Sequence, residues 1–180
     1  RAPGAPLGTC GIESAMDELA DLAGTDPLDF RLRHLSDERC RAVLEGAAEM
    51  SSWPGSHGAS EGRSLGIAAA RYKNKGAWLA AVAEVSVEEE IRLERLWLCA
   101  DVGLVINPEG ARSQIEGGAI QAASWTLKEE VKVEGDRVPA LDWNAYPILK
   151  FSEIPEIETR FLIGPMHPPL GAGEAAQGPV

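Results

Sequence analysis

The sequence predicts an α+β fold in which a helical segment precedes a mixed or antiparallel sheet that packs on one long helix. Apolar residues recur with helical spacing as far as residue 50, and from residue 65 onward they alternate with the period that strands require. One long helical pattern, beginning near residue 108, interrupts the strands. Helices followed by strands are typical of the α+β class. We therefore divide the chain into a helical segment (1–50), a linker (51–64) and an α+β segment (65–180).

The helical segment opens with Gly- and Pro-rich residues 1–11, which we predict to form a loop. Asp26 and Asp37 each precede a helical pattern, and Asp is a favoured N-cap because its carboxylate accepts hydrogen bonds from free backbone amides. Pro27 suits the first position of a helix. The predicted helices are 12–23, a helix that begins at Pro27, and 38–50.

The α+β segment repeats the cap-and-proline signature at Asn107 and Pro108, which open a helix predicted over 108–127. Alternating apolar residues around this helix indicate strands, and the run Lys73-Asn74-Lys75 is interpreted as a solvated turn. The predicted strands are 65–72, 78–88, 91–100, 129–134, 137–142 and 156–163, with Gly135-Asp136 as the turn between the fourth and fifth.

The composition is that of a globular protein, with 44% apolar and 25% charged residues among 180. The 17 Lys and Arg residues against 28 Asp and Glu residues give a net charge of -11. This balance argues against binding to nucleic acid, because phosphates require a basic face. No apolar run approaches the roughly 20 residues that span a bilayer, so we predict no membrane span.

Three cysteines and three histidines lie far apart and form no CxxC pair and no His pair at helical spacing. A zinc site needs three or four convergent ligands, so no protein-ligated metal is predicted. Reduced thiols in a cytoplasmic protein are favoured over a disulfide. The residues are Cys10, Cys40, Cys99, His34, His57 and His167.

Two adjacent glycines, Gly117 and Gly118, interrupt the helix predicted over 108–127, and each costs about 1 kcal/mol relative to alanine. One interpretation is tight packing of the helix against the sheet. The other is a polar contact from Gln114 or Gln121 to a bound ligand, since an amide both donates and accepts hydrogen bonds. The sequence leaves both open.

Glu174 is the only Asp, Glu, Lys or Arg residue after Arg160, and it follows Gly171 and Gly173. If it were buried among these small residues, its charged form would be disfavoured and its pKa would rise toward that of a general base. The alternative is an exposed Glu in the first turn of a helix. At the opposite end of the chain, Arg1 and the small residues Ala2 to Gly4 could present a guanidinium and amides to an anion.

These segments, taken in order, resemble the C-terminal part of the molybdenum-binding large subunit of the xanthine dehydrogenase/aldehyde oxidase family, and especially the bacterial isoquinoline 1-oxidoreductase and nicotinate dehydrogenase forms. The similarity covers nearly the whole chain. The matching stretches are Arg1–Gly4, Glu13–Ala20, Asp26–Arg33, Val82–Val85, Asp101–Gly103, Asn107-Pro108, Gln114–Gly118 and Gly171–Glu174.

The resemblance implies an enzyme that hydroxylates an N-heteroaromatic compound or an aldehyde with water as the oxygen source. Glu174 corresponds to the family's catalytic glutamate, which removes a proton from a hydroxyl group on molybdenum. Gln114, Arg1, Ala2 and Gly173 correspond to residues at the cofactor. The implied cofactor is molybdopterin in its cytosine dinucleotide form, whose dithiolene holds the metal. An iron–sulfur subunit or domain, with FAD or haem, is the implied partner, and the cytoplasm is the expected compartment.

The ends of the chain also shape what we expect. The chain starts at Arg1 without Met and stops just after a glycine-rich stretch, so we expect it to be a piece of a longer polypeptide. We expect this piece to be inactive alone, because half of the cofactor site is missing.

Two other functions are weighed against the molybdenum hydroxylase. One is a non-catalytic α+β binding or scaffold module, and the other is an enzyme that uses Glu174 as a base without molybdenum.

Overall fold

The computed structural model describes residues 4–53, 62–162 and 167–180. Three helices precede the first three strands, and a fourth helix lies before the last strand, which confirms the α+β prediction. None of the helices described here has the length and apolar character needed to cross a bilayer. The helices are α1 (Ala5–Leu22), α2 (Pro27–His34), α3 (Glu38–Met50) and α4 (Pro108–Leu127). The strands are β1 (Arg63–Arg71), β2 (Trp78–Val87), β3 (Ile91–Asp101) and β4 (Glu156–Phe161).

Local capping explains why three helices begin where the sequence predicts. The carboxylate of Asp26 accepts hydrogen bonds from the first amides of α2, that of Asp37 does so for α3, and the Asn107 side chain accepts from Gly110 N–H at 3.0 Å. The loop predicted over 1–11 is wrong from residue 5 onward, because α1 begins at Ala5. Pro6 lies in its first turn, where a missing amide hydrogen costs nothing.

The sheet has the order β1-β2-β3-β4. The first three strands are antiparallel neighbours, whereas β4 runs parallel to β3. Parallel neighbours need a long crossover connection, and α4 lies within the one that joins β3 to β4. The sheet is therefore mixed.

Each face of the sheet packs on a helix, so that the sheet is the middle layer of three. On one face, Leu79, Leu96 and Leu98 pack against Ile115 and Ala119 of α4. The opposite face, which includes Trp78, Val82 and Cys99, packs against Val43, Leu44 and Ala47 of α3. Alternation along β2 and β3 directs successive side chains to these two cores.

A buried arginine fixes α1 and α2 to the sheet. The Arg31 guanidinium donates to the carboxylates of Glu13 at 2.8 Å and Asp17 at 2.6 Å, and Glu13 also accepts from the Ala69 amide of β1 at 3.3 Å. Burial alone would lower the pKa of Arg31, but the hydrogen bonds from Asp17 and Glu13 outweigh it, so the pKa is raised.

The strands predicted over 129–134 and 137–142 are wrong. Only one isolated bridge, between Glu134 and Arg137, crosses the turn at Gly135. Val133 and Leu141 are 67% and 92% exposed, so the alternating pattern has no core to face. A lone two-stranded hairpin is marginal in water, because neither strand gains a third neighbour.

The division of the chain into 1–50, 51–64 and 65–180 stays a prediction. Residues 54–61, which make up most of the expected linker, lie outside the described residues. The last two residues of the expected linker, 63 and 64, already belong to β1.

Candidate functional site

The segment that carries Glu174 is attached to the ends of β2 and β3 by backbone hydrogen bonds. These bonds run from Leu104 N–H to His167 O (3.0 Å), from Leu170 N–H to Val102 O (2.8 Å) and from Ala77 N–H to Gly171 O (3.0 Å). The segment follows the strand ends without joining the sheet as a strand. Glu174 is thereby held beside the loop that joins β1 to β2.

Two glycines make this close approach of backbones possible. Gly103 has a φ of +67°, and a Cβ built there would lie 2.1 Å from the Pro168 carbonyl oxygen. A Cβ on Gly76 would lie 2.5 Å from the Gly171 carbonyl oxygen. Any larger residue at either position would displace the segment that carries Glu174.

The helix α4 approaches Glu174 from the other side. The amide Nε2 of Gln114 donates to the Gly173 carbonyl oxygen at 2.7 Å, and Gln177 Nε2 donates to Gln121 Oε1 at 2.8 Å. These two bonds join α4 to the segment on either side of Glu174. Two residues that the sequence analysis assigned to the cofactor, Gln114 and Gly173, therefore contact each other directly.

The adjacent glycines of α4 have different surroundings. Gly118 is buried, and a Cβ there would meet Ala176 Cβ at 3.6 Å, an ordinary contact with the turn after Glu174 and not with the sheet. Gly117 is exposed, and a Cβ there would meet nothing within 4 Å. Gly117 thus leaves space over the helix surface, which the ligand interpretation requires.

A cavity of about 530 Å³ opens over this junction. Glutamine amides, glycines, one carboxylate and one ammonium group line it. Such a lining offers many hydrogen-bond donors and acceptors and little apolar surface, which suits a polar heterocycle. Its walls are formed by Tyr72, Lys73, Ser113, Gln114, Gly117, Gly118, Gln121, Gly173, Glu174 and Gln177.

Glu174 is half-buried and immediately precedes the short 3₁₀ turn Ala175–Gln177. Its Oε2 accepts a hydrogen bond from the Tyr72 hydroxyl at 3.2 Å. Among the described residues, its Oε1 has no hydrogen-bond partner. The carboxylate is therefore fixed through one oxygen, and the other remains available to accept a proton.

Lys73 supplies the only ammonium or guanidinium group in the described lining of the cavity. Its pKa is raised by a side-chain interaction with the Tyr72 hydroxyl, and further by the negative charge of Glu174. Lys73 therefore keeps its positive charge at neutral pH. The sequence predicts a turn here, and residues 72–74 form one, but its position beside Glu174 was missed.

Arg1 and Ala2, the other two residues expected at the cofactor, lie outside the described residues. The helix that follows them does reach the site, since Ala5 and Pro6 line a second cavity of about 60 Å³ together with Glu174. Tyr72 also lines this smaller cavity. Glu174 and Tyr72 thus form part of the wall of both cavities.

No group of three or more His, Cys, Asp and Glu side chains converges on a metal position within the part of the chain that the structure describes. The lining of the cavity offers hydrogen-bond donors and acceptors from amide groups. Gly117 leaves the surface of the helix open beside this lining. Among the described residues, Gln114 Oε1 has no hydrogen-bond partner, so it can accept a hydrogen bond from a polar ligand.

A mixed sheet between two helices, with an amide-lined cavity at the strand ends, defines a domain of the α+β class. The family profile described as "molybdopterin cofactor-binding domain" matches residues 44–155, more than half of the chain. The chain belongs to this family of molybdopterin-binding oxidoreductase domains. The resemblance to the xanthine dehydrogenase family is confirmed.

The relatives agree with this assignment. The chain is 40% identical to one of the subunits of nicotinate dehydrogenase from Pseudomonas putida, over 93% of this chain and 15% of that protein. It is 38% identical to the beta subunit of isoquinoline 1-oxidoreductase from Brevundimonas diminuta, over 83% of this chain and 20% of that protein. Among solved structures, quinoline 2-oxidoreductase from Pseudomonas putida 86 superimposes with a TM-score of 0.51 at 30% identity, over 56% of this chain and 14% of that one. The chain thus spans a fifth or less of these relatives.

Proposed function

We propose that this chain is part of a molybdenum hydroxylase large subunit in which Glu174 is the general base. The observation that carries the proposal is the junction of Gln114 with Gly173, which places Glu174 at the edge of the amide-lined cavity. The family supports the cofactor, and the geometry supports the role of the carboxylate.

The residues of this chain would bind and orient the cofactor. Gln114, Gln121 and Gln177 offer amide groups to a pterin, and Gly117 leaves room for its ring. When bound, the cofactor would supply two-electron redox chemistry with water as the oxygen source. We further propose the cytosine dinucleotide form, and Arg1 and Ala2 as additional contacts beside Glu174.

Glu174 would accept a proton at Oε1 while Tyr72 holds Oε2. A base of this kind contributes about 10²–10⁴-fold to a rate when it lies within hydrogen-bond reach of the proton it removes. Removal of the proton makes an oxygen nucleophilic toward an electron-poor carbon.

The substrate we propose is an N-heteroaromatic compound, with an aldehyde as the second choice. Nicotinate, isoquinoline and quinoline, in the names of the similar proteins, are all N-heteroaromatic compounds. Two of these relatives are named as subunits, which supports an iron–sulfur partner, with FAD or haem, for this protein too. We propose the cytoplasm as its compartment.

The proposal is tested by metal analysis and one substitution in the full-length enzyme. Mass spectrometry should find molybdenum in the parent protein and in Glu174→Gln, whereas turnover of an N-heteroaromatic substrate should fall by at least about 10²-fold in the variant. Absence of molybdenum from the parent would remove the hydroxylase assignment and leave the scaffold module and the molybdenum-free enzyme as the alternatives. Molybdenum with full turnover in Glu174→Gln would remove the base role alone.

A further inference from the structure

We propose that Tyr72 is a positioning residue for Glu174, and that the conformation of the loop joining β1 to β2 places the Tyr72 hydroxyl against the Glu174 carboxylate. This inference rests on the proposed role of Glu174 as a base. It concerns a residue that the sequence patterns place at the end of a predicted strand, next to an ordinary turn.

The first support is the hydrogen bond itself. Tyr72 Oη lies 3.2 Å from Glu174 Oε2, and the two residues are 102 positions apart in the chain. A free carboxylate on the rim of a polar cavity would rotate among several rotamers. A donor on one oxygen selects one of them and leaves Oε1 toward a reactant.

The second support is the backbone of the loop. The Tyr72 amide donates to the Ala77 carbonyl at 2.8 Å, and the Gly76 amide donates to the Tyr72 carbonyl at 2.7 Å. Lys73 and Asn74, between them, have φ values of 49° and 56°, and successive positive φ values are typical of tight β-hairpin turns. These backbone bonds hold Tyr72 at the base of the turn, at a fixed position relative to the start of β2.

The third support is that two hydrogen bonds join the loop between β1 and β2 to the segment that carries Glu174. The Ala77 amide donates to the Gly171 carbonyl oxygen at 3.0 Å, while the Tyr72 side chain reaches Glu174 three residues later. The α-hydrogens of Gly76 face the Gly171 carbonyl oxygen, with no room for a side chain. The backbone contact therefore fixes the distance over which the hydroxyl must reach.

Lys73 completes the arrangement from the solvent side. Its ammonium nitrogen lies 5.0 Å from the centroid of the Tyr72 ring, which is within the range of a cation–π contact. Both side chains line the cavity with Glu174. The positive charge therefore restrains the Tyr72 ring and balances the carboxylate that the hydroxyl holds.

The test compares Tyr72→Phe with Tyr146→Phe in the full-length enzyme. Tyr146 is the other tyrosine of this chain, and it likewise donates to a carboxylate, Glu129, at 2.8 Å, away from the cavity. We expect kcat to fall about tenfold or more in Tyr72→Phe, because the base is misplaced. KM, molybdenum content and unfolding temperature should match those of Tyr146→Phe.

A second measurement does not depend on activity. Carbodiimide with glycine ethyl ester modifies accessible carboxyl groups, and mass spectrometry of the peptide that contains Glu174 gives the rate. A hydrogen bond to a charged group protects it by about tenfold. We expect modification of Glu174 to accelerate by about that factor in Tyr72→Phe and to stay at the parental rate in Tyr146→Phe.

Lys73→Met provides a variant at an exposed position, with Lys75→Met as its control outside the cavity. We expect kcat to fall several-fold in the first and to stay unchanged in the second. Parental kcat and parental labelling of Glu174 in both Tyr72→Phe and Lys73→Met would overturn the inference. Glu174→Gln, measured alongside, separates the base role of Glu174 from the positioning role of Tyr72. If Glu174→Gln also keeps its turnover, the proposed base role is wrong. If Glu174→Gln alone is inactive, only the role of Tyr72 is wrong.

Discussion

Gln114 of α4 donates a hydrogen bond of 2.7 Å to the backbone carbonyl oxygen of Gly173, one residue before Glu174. The two residues are 59 positions apart, and each was assigned to the cofactor from the sequence alone. Their contact joins the helix to the glycine-rich segment beside the cavity. The helix therefore holds the proposed base in place through its neighbour in the chain.

We expect Gln114→Ala to weaken this junction without unfolding the protein, because Gln114 is exposed. Loss of the bond removes about 1 kcal/mol of stabilisation from the segment. Hydrogen exchange followed by mass spectrometry should show faster exchange in the peptide that contains residues 171–177, together with lower molybdenum content. Glu109→Ala, at an exposed position of α4 outside the cavity, is the control, and equal exchange in the two variants would contradict the assigned role of the bond.

We expect Gly103→Ala to be more damaging than Gly135→Ala. Both glycines have positive φ, +67° and +65°, so both substitutions carry the same backbone strain of about 1 kcal/mol. Only at Gly103 does the new Cβ meet a backbone atom, the Pro168 carbonyl oxygen. The unfolding temperature should fall in both variants, and turnover should fall only in Gly103→Ala. Equal turnover in the two would show that the segment tolerates displacement.

We expect Arg31→Met to loosen α1 and α2. Arg31 is 3% exposed, and removal of a buried partner costs about 3 kcal/mol because carboxylates lose their counter-charge. Hydrogen exchange in α1 and α2 should accelerate accordingly. Arg95→Met is the matched control, since Arg95 pairs with Glu156 at 3.0 Å on the surface, where an ion pair is worth about 0–1 kcal/mol. A similar local effect from both substitutions would contradict the importance of burial.

We expect acid to weaken the contact between α3 and the end of β3. Burial alone would raise the pKa of Asp101, but hydrogen bonds from Arg39 and the Gly103 amide outweigh it, so the pKa lies below its ordinary value. Because the pKa of Asp101 is lower in the folded state than in the unfolded state, its ionised carboxylate stabilises the fold. This stabilisation is fully present above the pKa of the unfolded state, about 4, and is lost as the pH falls through the pKa of the folded state. Asp101→Asn should therefore accelerate exchange in α3 at pH 7, and the difference from the parent should shrink below about pH 4.

Asp136→Asn, in an exposed turn, is the control for this pH series. It should match the parent at every pH. A difference between Asp101→Asn and the parent that is as large at pH 3 as at pH 7 would show that the Asp101 charge is not what stabilises the contact.

Local signals in the sequence were sufficient for α2, α3 and α4 because each has a capping side chain and a regular apolar face. They failed over residues 129–142, where alternation of valines with polar residues has the period of a strand. Whether such a segment becomes a strand depends on a neighbouring edge to pair with. In the described structure β4 occupies the place beside β3, and Val131 and Val133 remain exposed.

The sequence by itself determined the fold class and the starts of α2, α3 and α4, because caps and periodicity are written in short stretches of chain. The assignment of Glu174 and Gln114 to one site stays a prediction that rests on motif order. Only the tertiary structure brought Tyr72 to Glu174 and Gly76 to Gly171. Contacts between residues about 100 positions apart arise from strand pairing and from backbones that meet where glycine leaves space. No local pattern at Tyr72 and Lys73 distinguishes a turn in solvent from a turn beside a carboxylate, since the difference lies in the partner.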